Sequence, residues 1–157
     1  VVAIEAAVSN TVGPLTFHKT ALPDASSLKK PKPLDNNLAK YVSLEDEITV
    51  EGVRLDDEVS RLGLTVIDIL KMDAQGGELD ILESFDSHLK AGFVKVIYTE
   101  VGFTDIYENA PLYHEIADKL SRCGYSLHSL YDLVHLPDGR LAWGDAIFVK
   151  KNDPELP

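Results

Sequence analysis

The sequence predicts an α/β fold: a mostly parallel sheet with helices packed on it, closed by an antiparallel C-terminal hairpin. Three observations predict it. Val66-Ile67-Asp68-Ile69-Leu70-Lys71-Met72 and Phe93-Val94-Lys95-Val96-Ile97-Tyr98-Thr99 are near-continuous apolar runs, the pattern of strands buried on both faces. Between them Leu79, Leu82, Phe85 and Leu89 recur at helical spacing, and Gly92 ends that helix. Near the C-terminus two further strands, around 126–136 and 141–150, flank Asp138-Gly139, a strong hairpin-turn dipeptide. One helix joining two buried strands implies a right-handed crossover, so the strands ending at Met72 and Tyr98 are expected side by side and parallel.

The remaining elements follow in order. Residues 1–8 are short, apolar and rich in Val and Ile, and read as a strand. The cluster Ser9-Asn10-Thr11-Val12-Gly13-Pro14 turns the chain, and Leu15-Thr16-Phe17-His18 alternates as a half-buried strand does. Residues 21–40, rich in Pro, Ser, Asn and Lys, read as a surface loop. Ile48-Thr49-Val50 reads as a short strand, and 55–62 as a short helix closed by Gly63. Asn109 is placed to cap a helix with Pro111 in its first turn and a stripe of Leu112, Tyr113, Ile116, Ala117 and Leu120, ended by Gly124. The chain opens on Val1-Val2-Ala3-Ile4 without Met, which reads as a start inside a domain.

Composition narrows the function. The 157 residues suffice for one domain with a core. A formal net charge of −11 argues against nucleic acid as partner, because phosphate binders need clustered Lys and Arg. No apolar run approaches the ~20 residues of a membrane-spanning helix. The single cysteine, Cys123, permits no intramolecular disulfide, which fits a reducing, cytoplasmic setting, and it reads as a packing residue. The five histidines show no metal-ligand spacing, so no metal is expected.

In open α/β sheets ligands sit at the carboxyl ends of the strands. Asp73 and Glu100 each fall at such an end, which brings two carboxylates toward one crevice. Asp73 is the candidate base or acceptor-orienting carboxylate; the plainer reading, compatible with it, is a helix N-cap. Gln75-Gly76-Gly77 offers backbone N–H groups as a ligand cradle, or merely a tight strand-to-helix turn. Glu78 suits the first turn of the helix. Lys71, inside an apolar strand, needs Asp73 or Glu100 as a partner unless it points outward. Trp143 and Asp145 on the last strand are candidates for substrate contact, Trp143 by stacking.

Ile67-Asp68-Ile69-Leu70-Lys71-Met72-Asp73-Ala74-Gln75-Gly76-Gly77-Glu78 resembles the signature of the FkbM methyltransferase family, roughly D-x-L-K-I-D-V-E/Q-G-x-E. Ala7-Val8-Ser9-Asn10 with Gly13 and Phe17, Ser26-Ser27-Leu28, Leu55-Asp56, Tyr98-Thr99-Glu100-Val101, Gly124-Tyr125-Ser126-Leu127 and Gly144-Asp145-Ala146-Ile147-Phe148-Val149 resemble its other segments, in order. The resemblance implies a Rossmann-like sheet, S-adenosylmethionine as methyl donor, and a hydroxyl on a sugar or secondary metabolite as acceptor. For that chemistry Asp73, Glu100 and Lys71 are the candidate catalytic residues, and Gln75, Gly76 and Ser9 the candidates on the cofactor side. The family's glycine-rich loop, of the form D-x-G-A-N-x-G, has no counterpart here, so the chain reads as the C-terminal part of a single, N-terminally truncated domain, with an exposed sheet edge open to self-association. The rival reading is a non-catalytic α/β module that keeps the signature for folding.

Overall fold

The computed structural model describes residues 1–33 and 39–151. The described residues form two sheets. The first is formed by β1 (Ala7–Val8), β2 (Gly13–Thr20) and β3 (Leu44–Val53) in the order β1-β3-β2. The second is formed by β4 (Ile67–Met72), β5 (Val94–Gly102), β6 (Tyr125–His135) and β7 (Leu141–Lys150) in the order β4-β5-β7-β6. As the crossover argument requires, β4 and β5 are adjacent and parallel, with Lys71 opposite Tyr98. The expectation of a mostly parallel sheet needs correction. Across both sheets two strand pairings are parallel and three antiparallel, because β7 returns along β5 and β6 then pairs with β7 on the outside.

Other expectations are also revised. Only Ala7–Val8 of the first eight residues is a strand, paired parallel with Gly52 and Val53. Val1, Val2 and Ile4 lie exposed, so an apolar stretch without a partner to bury it forms no ladder. β3 is ten residues long, not three. Its side chains are mostly exposed, so no alternation marks it, and its antiparallel ladder with β2 defines it instead. Residues 55–62 do form a helix, α1 (Leu55–Arg61), with Gly63 at φ +66°.

The helix expected between β4 and β5 is two short ones, α2 (Glu78–Glu83) and α3 (Asp86–Lys90). Ser84 ends the first: its Oγ donates to Ile81 O at 2.7 Å and accepts from Leu55 N at 3.1 Å. Leu82, Phe85 and Leu89 still share one fully buried face. The following helix, α4 (Tyr113–Arg122), is not capped by Asn109. Asn109 takes φ +55° in the preceding turn, and Glu115 reaches back to accept from Leu112 N at 2.8 Å. A four-residue helical turn, Ala39–Val42, precedes β3.

Helices α2 to α4 pack Leu82, Phe85, Leu89, Ile116 and Leu120 against Met72, Ile97, Val101, Ala146 and Phe148 of the second sheet. The opposite sheet face carries Lys71, Tyr98, Glu100 and Asp145 in cross-strand register. The core side is locked by Lys150, whose Nζ donates to Leu89 O, Lys90 O and Cys123 O at 2.8, 3.2 and 2.7 Å. One ammonium thus satisfies terminal carbonyls of α3 and α4, where the helix dipoles favour a cation. Lys150→Met leaves these carbonyls without their donor. The expected loss is about 1–3 kcal/mol, read as a lower urea midpoint at unchanged m. An unshifted midpoint is the contrary result.

Candidate active site

At the carboxyl ends of β4 and β5 lies a cleft of about 490 Å³. Asp73, Gln75, Gly76, Glu78, Glu100 and Trp143 line it, together with Leu22, Ala25, Val42, Ile106 and Tyr107. The strand ends supply the carboxylates. The segment around a 3-10 turn at Pro23–Ala25 supplies an apolar wall, so the first part of the expected surface loop packs into the site. Residues 34–38 of that loop lie outside the described residues.

The centre is the Gln75 carboxamide. Its Nε2 donates to Asp73 Oδ1 at 2.9 Å and to Glu100 Oε2 at 2.8 Å, one proton to each carboxylate. Its Oε1 lies 3.0 Å from the Tyr107 hydroxyl, which is also 2.8 Å from Ala25 O and shares its single proton between the two acceptors. The Gln75 backbone is held in the left-handed region at φ +50°, with its carbonyl accepting from the buried Ser27 Oγ at 2.8 Å. A non-glycine residue in that region is uncommon and persists where surrounding contacts determine it.

Burial pushes the Glu100 carboxyl up to about 7, helped by the neighbouring Asp73, Glu78 and Asp145 charges and opposed by the Gln75 hydrogen bond. Asp73 is half-exposed at 51%, and its Oδ2 pairs with Lys71 Nζ at 3.1 Å. Asp73 is not the helix cap: Gly77 holds that position in α2, without a side-chain cap bond. Glu78 is not an ordinary first-turn residue either. It is buried, accepts from Ala74 N at 2.8 Å, and its charge is also held by the Gly76 backbone N–H. Burial is the larger influence and raises its pKa. The backbone donors of the strand-to-helix turn are therefore turned onto the chain's own carboxylate.

The sequence-derived candidates separate as follows. Asp73, Gln75, Gly76, Glu100 and Trp143 come together in the cleft. Lys71 is 57% exposed and reaches the site through Asp73. Asp145 stands directly opposite Glu100 on β7 and accepts from the Tyr98 hydroxyl at 2.7 Å, which raises the Tyr98 pKa. Ser9 is buried in the first sheet's turn, where its Oγ accepts from Thr11 N at 3.3 Å, and it lines no part of the cleft. Tyr107 and Asp24 were missed. Both lie in irregular segments, where periodicity gives no direction to a side chain.

A family model, the methyltransferase FkbM domain, matches residues 2–127. The chain belongs to the FkbM methyltransferase family. It is similar to the 2-O-methyltransferase NoeI of Sinorhizobium fredii (strain NBRC 101917 / NGR234), 34% identical over 125 residues, which cover 74% of this chain and 49% of that protein. The chain thus spans about half the length of that curated relative. No solved structure matches. In this FkbM domain the signature Lys71-Met72-Asp73-Ala74-Gln75-Gly76 is the stretch that ends β4, turns through the left-handed Gln75 and enters the cleft. No helix among the described residues is long and apolar enough to cross a membrane.

Proposed function

We propose that this FkbM domain transfers a methyl group from S-adenosylmethionine to a hydroxyl oxygen of a small acceptor, a sugar or secondary metabolite. The carrying observation is the pair of carboxylates, Asp73 and Glu100, held by one amide in an apolar-walled cleft. The relative's name, a 2-O-methyltransferase, supports oxygen as the acceptor atom.

The donor set fits the sulfonium end of S-adenosylmethionine, because carboxylates stand where a cation would be stabilised. Bound there, S-adenosylmethionine supplies an electrophilic methyl group on a positively charged sulfur. The chain's own residues do the rest. Glu100, with a pKa near 7, matches the requirement for a general base at neutral pH: it takes the hydroxyl proton as the oxygen becomes nucleophilic. Asp73 accepts from the acceptor and orients it. Gln75 and Tyr107 position both carboxylates. The apolar wall from Leu22, Ile106 and Tyr107 limits water around the reacting oxygen. Lys71 fixes Asp73 on the solvent side. Among the described residues β1 and β4 each end a sheet, and an unpaired strand edge of this kind favours self-association.

The test uses methyl-labelled S-adenosylmethionine and a panel of sugars and alcohols, with label expected on acceptor oxygen. Label appearing on nitrogen, or on none of the acceptors, overturns the reading. In calorimetric titration these 157 residues alone are expected to bind the donor only weakly, because the glycine-rich loop that approaches such ligands has no counterpart among them. Low-micromolar affinity is the contrary result.

A further inference from the structure

We propose that the cleft selects by charge: its acceptor is a polyhydroxyl compound without negative charge, and phosphorylated or carboxylated acceptors are turned away. The inference rests on reading the cleft as the acceptor site.

The lining contains Asp24, Asp73, Glu78 and Glu100, and no Lys, Arg or His among its described residues. Asp145 adds a fifth carboxylate across the strand pair from Glu100. Two lysines whose side chains reach the lining residues Asp73 and Gly76 are already paired. Lys71 Nζ is bound to Asp73 at 3.1 Å, and Lys29, whose side chain packs by Gly76, is bound to Asp80 at 2.7 Å. An anionic group entering this space would leave water, meet the carboxylates of Asp24 and Asp73, and of Glu100 once it is ionised, and find no free cation among the lining residues. Unpaired charge is heavily penalised where solvent is partly excluded. A repulsive element of this kind discriminates between acceptors that otherwise fit equally well.

The attractive elements suit a neutral polyol. Carboxylates accept hydrogen bonds from hydroxyls, and charge-assisted bonds are the stronger kind. Trp143, opposite Gly102 on β5, offers a ring with no side chain across the pair. Its face can carry the C–H surface of a sugar, while the carboxylates face the hydroxyl edge.

Trp143 is the single tryptophan of the chain, so its fluorescence reports this cleft alone. The probes are acrylamide, which is neutral, and iodide, which is anionic. Each quenching constant is normalised to N-acetyltryptophanamide at a pH above 7, where Glu100 is ionised, and at an ionic strength of ~0.1 M, where charges beyond about 10 Å are screened. Acrylamide is expected to reach Trp143, and iodide to quench roughly threefold less, as a local potential of about one thermal unit requires. The double variant Asp73→Asn/Glu100→Gln should restore iodide quenching. The control Glu45→Gln/Glu51→Gln removes the same charge from the exposed part of β3 and should leave it low. Equal normalised quenching by both probes overturns the proposal. So does failure of the cleft variant to restore iodide, restoration by the control, or lack of acrylamide quenching. Methyl transfer does not enter this measurement, so failure of the catalytic reading would be seen separately in the label assay.

Discussion

Glu100→Gln is expected to lower methyl transfer by roughly 10²–10⁴-fold, the usual contribution of a general base, and at the same time to stabilise the fold at neutral pH. The two effects have one cause. Glu100 is held in a cleft that disfavours its charge, so its pKa rises from 4.5 to about 7. Between those values the unfolded chain has lost a proton that the folded chain keeps. The protonated carboxyl therefore contributes stability that is complete below about 4.5 and is lost as pH rises through 7. Glutamine has the same shape, can still accept from Gln75, and never ionises, so it avoids that loss. The gain is of order 1 kcal/mol after discounting for partial exposure, larger at pH 8 than at pH 5. In the parent protein the rate should rise with pH through a midpoint near 7 as the base ionises, and this limb should vanish in the variant. Thermal midpoints at both pH values, beside the pH–rate profile, check all three points. An undiminished rate, or a stability gain greater at pH 5, would falsify the assignment.

The second large effect belongs to Asp73. Asp73→Asn is expected to reduce kcat by about 10²-fold through misplacement of the acceptor, while changing stability by less than about 1 kcal/mol. The small stability effect follows from the contacts. Asp73 makes no helix-cap bond, and its ion pair with Lys71 joins two half-exposed side chains. The variant carries a further signature. Asp73 is one of the charges that raise the Glu100 pKa, so its removal should move the pH–rate limb toward lower pH. A loss of activity from general disruption would not move that limb in a defined direction. Unchanged turnover with a lowered melting point would make Asp73 a structural residue and leave Glu100 as the site's one catalytic carboxylate.

Much of this molecule was legible where the local pattern is strong. The apolar runs at 66–72 and 93–99, one helical connection apart, led to a parallel β4–β5 pair, but the expected burial on both faces fails for β4, which ends its sheet with Ile69 exposed and only Met72 buried. From strand polarity alone Asp73 and Glu100 could be placed at one end of the sheet. Asp138-Gly139 located the turn between β6 and β7. Elements without a buried face escaped: β3 is held by its backbone ladder while its side chains face water. The division between α2 and α3 escaped too, because Leu82, Phe85 and Leu89 keep one apolar face across the break at Ser84.

The site divides along the same line. The sequence by itself determined which residues stand at the strand ends, because strand direction and alternation are local properties of the chain. Tertiary structure alone decided that Gln75 joins Asp73 to Glu100, that Tyr107 steadies it from 32 positions away, and that Glu78 fills the turn's own backbone donors. It also decided the protonation of Glu100. That depends on how much water the packed loop excludes and on which carboxylates the fold brings near, and neither quantity is encoded in any short stretch of residues.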